Sequence, residues 1–178
     1  MLPDGRRCDT AAWCIRSWGM RYYSLGRSSG HEGPPETARA GERGVIQNKI
    51  VVRFQDGKII KGYTGDFLPT KPAFHIMPLN APASTKPFLV QVADLKAVFF
   101  VRDFVGNPAH RERLEFAADK PAVGRKIRVV FKDGEILVGT TQGYDPGRAG
   151  FFLVPADSES NNARCFVVGS ATAKVSFI

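Results

Sequence analysis

One short pattern occurs twice in this chain and limits its fold more than any other feature. The first copy reads Lys49-Ile50-Val51-Val52-Arg53-Phe54-Gln55-Asp56-Gly57-Lys58-Ile59-Ile60-Lys61-Gly62. The second reads Lys126-Ile127-Arg128-Val129-Val130-Phe131-Lys132-Asp133-Gly134-Glu135-Ile136-Leu137-Val138-Gly139. Ile50, Val52 and Phe54 alternate with their neighbours, as do Ile127, Val129 and Phe131, and period two in β-branched and aromatic residues marks a half-buried strand. Asp56-Gly57 and Asp133-Gly134 then supply hairpin chemistry: Gly tolerates positive φ, and the Asp side chain bonds back to the local backbone. Gly62 and Gly139 interrupt the returning strands at the same place. A glycine there marks a bulge, a sharp bend or a close backbone approach, as a strand needs if it is to close a small barrel.

The correspondence extends well beyond the hairpin. Loops rich in Gly, Pro, Asp and Thr follow, then third strands at residues 73–77 and 150–154, stopped by Pro78 and Pro155. Two more short strands close each unit, at residues 88–92 and 96–101 in the first and at 165–168 and 173–178 in the second. Aligned without a gap at an offset of 77, residues 48–101 and 125–178 share 15 identities in 54 pairs. Gapless identity over a whole unit is the signature of duplication. The expected fold is therefore all-β: two tandem five-stranded, strongly bent antiparallel small barrels at 45–101 and 125–178. A linker at 102–124 joins them, with a short helix over 109–116 capped by Asn107-Pro108. Whether the two units share a sheet is left open.

Residues 1–44 differ in kind. They hold seven arginines and no lysine, with Ser28-Ser29-Gly30 and Gly33-Pro34-Pro35 among them. They read as a disordered tail, or as translated upstream sequence before a natural start near Val45. A short helix over 10–23 would be the one element in it. Asp4, Asp9, Glu32, Glu36 and Glu42 argue against a transit peptide, and no apolar stretch after a basic start marks a secretory signal. Three scattered cysteines, Cys8, Cys14 and Cys165, do not make a disulfide framework. The expected location is the cytoplasm, with Cys165 as a small buried hydrophobe.

Chemistry-bearing constellations are sparse. Triads and zinc sites need clustered His, Cys or carboxylates, but His31, His75 and His110 fall in the tail, a strand and the linker. His75 reads as a strand histidine at a sheet face or edge. Asp56 and Asp133 are turn residues before glycine, which outweighs a role as paired carboxylates. No glycine-rich phosphate loop follows a strand. Arg39 and Arg43 have the spacing that PilZ proteins use for cyclic dinucleotides. The companion Asp/Asn-x-Ser-x-x-Gly motif is missing, because Asp157-Ser158-Glu159-Ser160 runs on to Asn161-Asn162. No catalytic residue, metal or cofactor is expected.

The repeat resembles the Sm-like fold. That family pairs an Asp/Asn-Gly turn with a glycine five residues later and an aromatic-Asp pair before the third strand. Gly57 to Gly62 and Gly134 to Gly139 have this spacing, and Tyr144-Asp145 falls at the aromatic-Asp place. In the first copy Phe67 takes the aromatic place, with Leu68 where Asp should stand. The resemblance implies small barrels that associate edge to edge. The family's RNA-binding Asn and Arg-Gly are absent here: Pro146-Gly147-Arg148 follows Asp145, and Val168-Gly169 sits near the fourth strand.

The functional expectation is a non-enzymatic binding or regulatory module, with a protein partner or self-association and no membrane. The alternative is nucleic acid, RNA first. Residues 45–178 carry 18 Lys+Arg against 12 Asp+Glu, hence +6, and a basic surface favours polyanions. Lys71, Lys86, Arg148 and Arg164 fall at loop ends, with Tyr63, Phe67 and Tyr144 near them in sequence. Phosphate contact plus base stacking would use such a set. The competing reading is solvated loop charges and barrel-capping aromatics. A groove lined by Arg148, Lys71 and the loop aromatics would favour binding, and the loops 65–72 and 142–149 are where a site belongs.

Overall fold

The computed structural model describes residues 47–82, 84–107, 109–116 and 123–178. The N-terminal expectations, a tail or short helix before Val45, lie outside them. The strands are β1 (Asn48–Phe54), β2 (Ile59–Thr64), β3 (Ala73–Pro78), β4 (Phe88–Gln91) and β5 (Leu95–Val101). After the linker come β6 (Arg125–Phe131), β7 (Ile136–Thr141), β8 (Gly150–Pro155), β9 (Asn162–Val168) and β10 (Thr172–Phe177). One turn of 3-10 helix precedes β5 at Val92–Asp94 and β10 at Gly169–Ala171. Registers recur at the 77-residue offset: Asn48 opposes Thr64 in the first hairpin and Arg125 opposes Thr141 in the second.

Both hairpin turns form as their chemistry requires. Gly57 and Gly134 take φ of +89° and +85°. Asp56 Oδ1 accepts from the Lys58 amide at 2.9 Å, and Asp133 Oδ1 from the Glu135 amide at 3.1 Å. Gly62 and Gly139 lie where the neighbouring strand crosses closely. A Cβ on Gly62 would stand 2.2 Å from the Met77 carbonyl oxygen, and one on Gly139 2.1 Å from that of Val154. β3 pairs with β2 only at Met77 and Pro78, then with β4 through Ala73–Ile76. The strand changes partner along its length, so the glycine sits at the corner of a bent sheet.

The question left open by the sequence has a clear answer. The strands form one continuous antiparallel sheet in the order β10-β6-β7-β8-β9-β5-β1-β2-β3-β4, open at β10 and β4. The halves join where β5 pairs with β9, Val98 opposite Phe166 and Phe99 opposite Cys165. Every residue of β5 is buried, as a strand covered on both faces must be. Its side chains alternate between two cores. Ala97, Phe99 and Val101 pack with Ile127, Val129 and Phe131 of the second half. Val98 and Phe100 pack with Ile50, Val52 and Phe74 of the first. β9 reciprocates: Cys165 and Val167 stay in their own core, while Phe166 and Val168 enter the other. Each such phenylalanine contributes on the order of 2–3 kcal/mol by leaving water.

The linker helix does not form. Among the described residues there is no α-helix, and 109–116 are irregular. The Asn107 carboxamide oxygen accepts from the Ala109 amide at 3.0 Å, which starts a turn as a cap would. The chain then spends its donors elsewhere: the Arg113 amide goes to Asp157 Oδ2 at 3.0 Å rather than to a carbonyl one turn back. Side-chain acceptors outside a segment compete with its helical ladder in this way. No described helix is long and apolar enough to cross a membrane.

Candidate functional site

Joining β5 to β9 brings the loop after the second hairpin against the end of the first half. Between them lies a cleft of about 600 Å³. One wall is Pro72, Gln91, Val92 and Ala93; the other is built chiefly by Tyr144, Arg148 and Ser170. Local bonds fix each wall. The Val92 amide donates to the Pro72 carbonyl at 2.8 Å, and the Gly169 amide to that of Ala149 at 2.9 Å. Asp145 Oδ1 accepts from the Gly147 amide at 2.9 Å, turning the loop so that Arg148 Nε stands 3.4 Å from Asp145 Oδ2. Tyr144 is wedged edge-on against Phe151 and Phe177, with ring centroids 4.9 and 6.0 Å away. The cleft thus offers apolar walls with an exposed Asp-Arg pair at its rim.

The residues singled out in sequence are only partly brought together. Tyr144 and Arg148 line the cleft, and Lys71 is exposed beside the lining Pro72. Lys86 is exposed in the loop before β4. Arg164, exposed at the junction, lays its guanidinium over Phe100 and Phe152, 4.5 and 4.9 Å from their centroids. Phe67 packs inward against Phe74 and Phe166 at 4.9 and 5.2 Å, and Tyr63 stands edge-on to Phe104 at 5.2 Å. Phe67 and Tyr144 therefore cap the cores, and Tyr63 packs on Phe104.

Two histidines proved better connected than their positions suggested. His75 is an exposed residue of β3, and Asp66 holds it twice, through ring Nδ1 at 2.7 Å and the amide at 2.9 Å. Burial pushes the Asp66 carboxyl up, but these bonds and one from Thr64 outweigh it and hold it below the usual range. His110 Nε2 lies 2.9 Å from the buried Asp157. Among the described residues no three His, Cys, Asp or Glu side chains are placed to hold a metal ion.

Sequence reasoning missed the ionic clasp across the junction. Arg53 Nη1 reaches Glu135 Oε1 and Oε2 at 2.9 and 2.7 Å. The buried Lys96 ammonium contacts both Asp133 and Glu135 and lies 4.5 Å from the Phe131 ring centroid. Asp133 is thus more than a turn residue. Burial pushes its carboxyl up, yet Lys96, the Glu135 amide and the Arg53 charge hold it below the usual range. The signal was present: Lys96 is the one charge in Leu95–Val101, and its aligned residue is Ala173.

No curated protein and no solved structure matches the chain. Residues 46–178 match the model of a family of unknown function, DUF6982. The described strands all lie within that span, and the chain belongs to this family.

Proposed function

We propose that the protein is a non-enzymatic binding and regulatory module of two small Sm-like β-barrels fused edge to edge, which takes its ligand in the cleft between them. The observation that carries this is the cleft itself: its walls come from both halves, so it exists only in the fused pair. Repeated registers and the corner glycines support two copies of one unit. An odd, scattered cysteine count supports the cytoplasm as its location. A photo-crosslinking phenylalanine analogue at Tyr144, compared with one at Tyr63, tests the site in cells. A discrete adduct at position 144 that Arg148→Glu abolishes and position 63 lacks is the expected result. Identical adducts at both positions, or none, would end the reading.

The alternative is nucleic acid bound along the exposed cations Lys71, Lys86, Arg148 and Arg164. Their exposure supports it; the inward packing of Phe67 and Tyr144 leaves less for base stacking. A gel shift with single-stranded RNA decides it, since phosphate contacts weaken steeply with salt. Absence of binding at low salt removes this alternative.

A further inference from the structure

The linker is fastened to the loop between β8 and β9 by an unusual group of acids. Asp157 is fully enclosed, its side chain only 1% exposed. Its carboxylate accepts from the Arg113 amide at 3.0 Å, the Glu159 amide at 3.0 Å and His110 Nε2 at 2.9 Å. Glu112 comes in beside it from the linker. Ser160, itself buried, hydrogen-bonds the Glu112 carboxyl, yet Glu112 Oε1 is shut off from solvent with no hydrogen-bond partner. Among the described residues, Arg113 stands 3.6 Å from Glu159, and Arg102 Nη1 reaches the Ser158 carbonyl at 3.5 Å. The enclosed centre therefore holds two carboxyls and one imidazole.

A buried carboxylate oxygen without a donor is unfavourable, and a second carboxylate beside it adds repulsion. A proton on Glu112 removes the charge, and with it the repulsion and the larger part of the cost of burial. Burial raises the Glu112 carboxyl, the Ser160 bond opposes this, the Asp157 charge raises it further and His110 opposes it; the net direction is upward.

We propose that Glu112 and Asp157 form a pH-gated latch: with one proton on Glu112 the linker is clasped to the β8–β9 loop, and loss of that proton to solvent releases residues 110–113. Other contacts of the linker involve no titrating group of the latch: the Arg102 amide on the Asn161 carbonyl at 2.9 Å, the Asp103 amide on Asn161 Oδ1 at 3.1 Å, Lys61 Nζ on the Phe104 carbonyl at 2.8 Å, and Lys126 Nζ 4.8 Å from the Phe116 ring centroid. Release therefore frees the stretch around Arg113, between these contacts. The sign follows from the upward shift: a group whose folded value is raised stabilises the closed form at low pH and loses that effect as pH rises through the raised value. The transition lies above the ordinary glutamate range, and the latch equilibrium changes by at most tenfold per pH unit for one proton.

The Arg113 amide reports the latch directly, because its acceptor is Asp157. Its hydrogen-exchange protection is followed by NMR in the full chain from pH 4.5 to 7.5, corrected for intrinsic exchange, with Val129 of β6 as a fold control. The expected result is protection that falls with rising pH in the wild type, by up to tenfold per unit. It stays high and flat in Glu112→Gln, and is low at every pH in Asp157→Asn. Flat wild-type protection, an unchanged slope in Glu112→Gln, or full protection in Asp157→Asn would each overturn the proposal. Glu112→Gln keeps the size of the side chain, so the comparison survives if Asp157→Asn does not fold.

Discussion

Arg53 on β1 grips both carboxylate oxygens of Glu135, at 2.9 and 2.7 Å, across the line where the two halves meet. The aligned residues are Val130 and Lys58, so this pair exists in one direction only. Glu135 also neutralises the buried Lys96. Glu135→Gln is expected to destabilise the protein by roughly 1–3 kcal/mol, because removing one partner strands the other charges. Asp133→Asn should cost less, since that side chain is 55% exposed. Urea unfolding of the two variants gives the comparison; equal and negligible losses would mean the clasp contributes nothing.

The two kinds of glycine separate in their response to alanine. Gly139→Ala places a Cβ 2.1 Å from the Val154 carbonyl oxygen and against Leu153. Relief requires the β7–β8 pairing to move, so a loss of about 3 kcal/mol or more is expected. Gly57→Ala meets nothing within 4 Å and suffers only from φ of +89°, a cost of about 1–2 kcal/mol. Thermal unfolding should rank Gly139→Ala clearly below Gly57→Ala. The reverse order would remove the corner role assigned to Gly139.

Acid sensitivity should trace to Asp157. Burial pushes its carboxyl up, but the Arg113 and Glu159 amides and His110 hold it below the usual aspartate range. A lowered value means its contribution is complete above the ordinary aspartate value and is lost as pH falls through the lowered one. With the linker clasped, at about pH 5, Asp157→Asn should therefore lose roughly 1–3 kcal/mol and show a flatter acid limb. Asp66 acts in the same direction at a more exposed site. Denaturant midpoints from pH 2 to 7 measure both; an unchanged acid limb in Asp157→Asn contradicts the assignment.

Self-association, if it uses the open edges of β4 and β10, should be weak and concentration-dependent. Leu89 and Phe177 are 55% and 41% exposed, while their aligned residues Phe166 and Phe100 are buried by the internal junction. The outer edge also carries Lys174 and Ser176 where β5 has Ala97 and Phe99. Charged edge residues discourage strand pairing. Light scattering after size exclusion should show mass rising with concentration and falling back to monomer in Leu89→Lys. A strict monomer at every concentration would exclude edge pairing.

Local chemistry was legible in the sequence and long-range pairing was not. Asp56-Gly57, Gly62 and the strand alternation have side-chain signatures, and each holds in the structure. The β5–β9 junction is made of backbone bonds, which leave no residue-specific mark. Its trace was Leu95–Val101, apolar on both faces except for Lys96. Phe67 and Tyr144 looked available for stacking because they stand in loops, but those loops fold back over the cores. The linker helix was lost to Asp157, an acceptor 44 residues away from Arg113.

The cleft depends on the junction holding its walls together, so amide exchange at β5 and β9 tests the account most directly. The expected result is that Val98, Phe100, Phe166 and Val168 exchange as slowly as Val52 and Val129 in the two half-cores, in one cooperative unit. Rapid, edge-like exchange at β5 and β9, with the halves protected separately, would contradict a fused pair and remove the shared cleft.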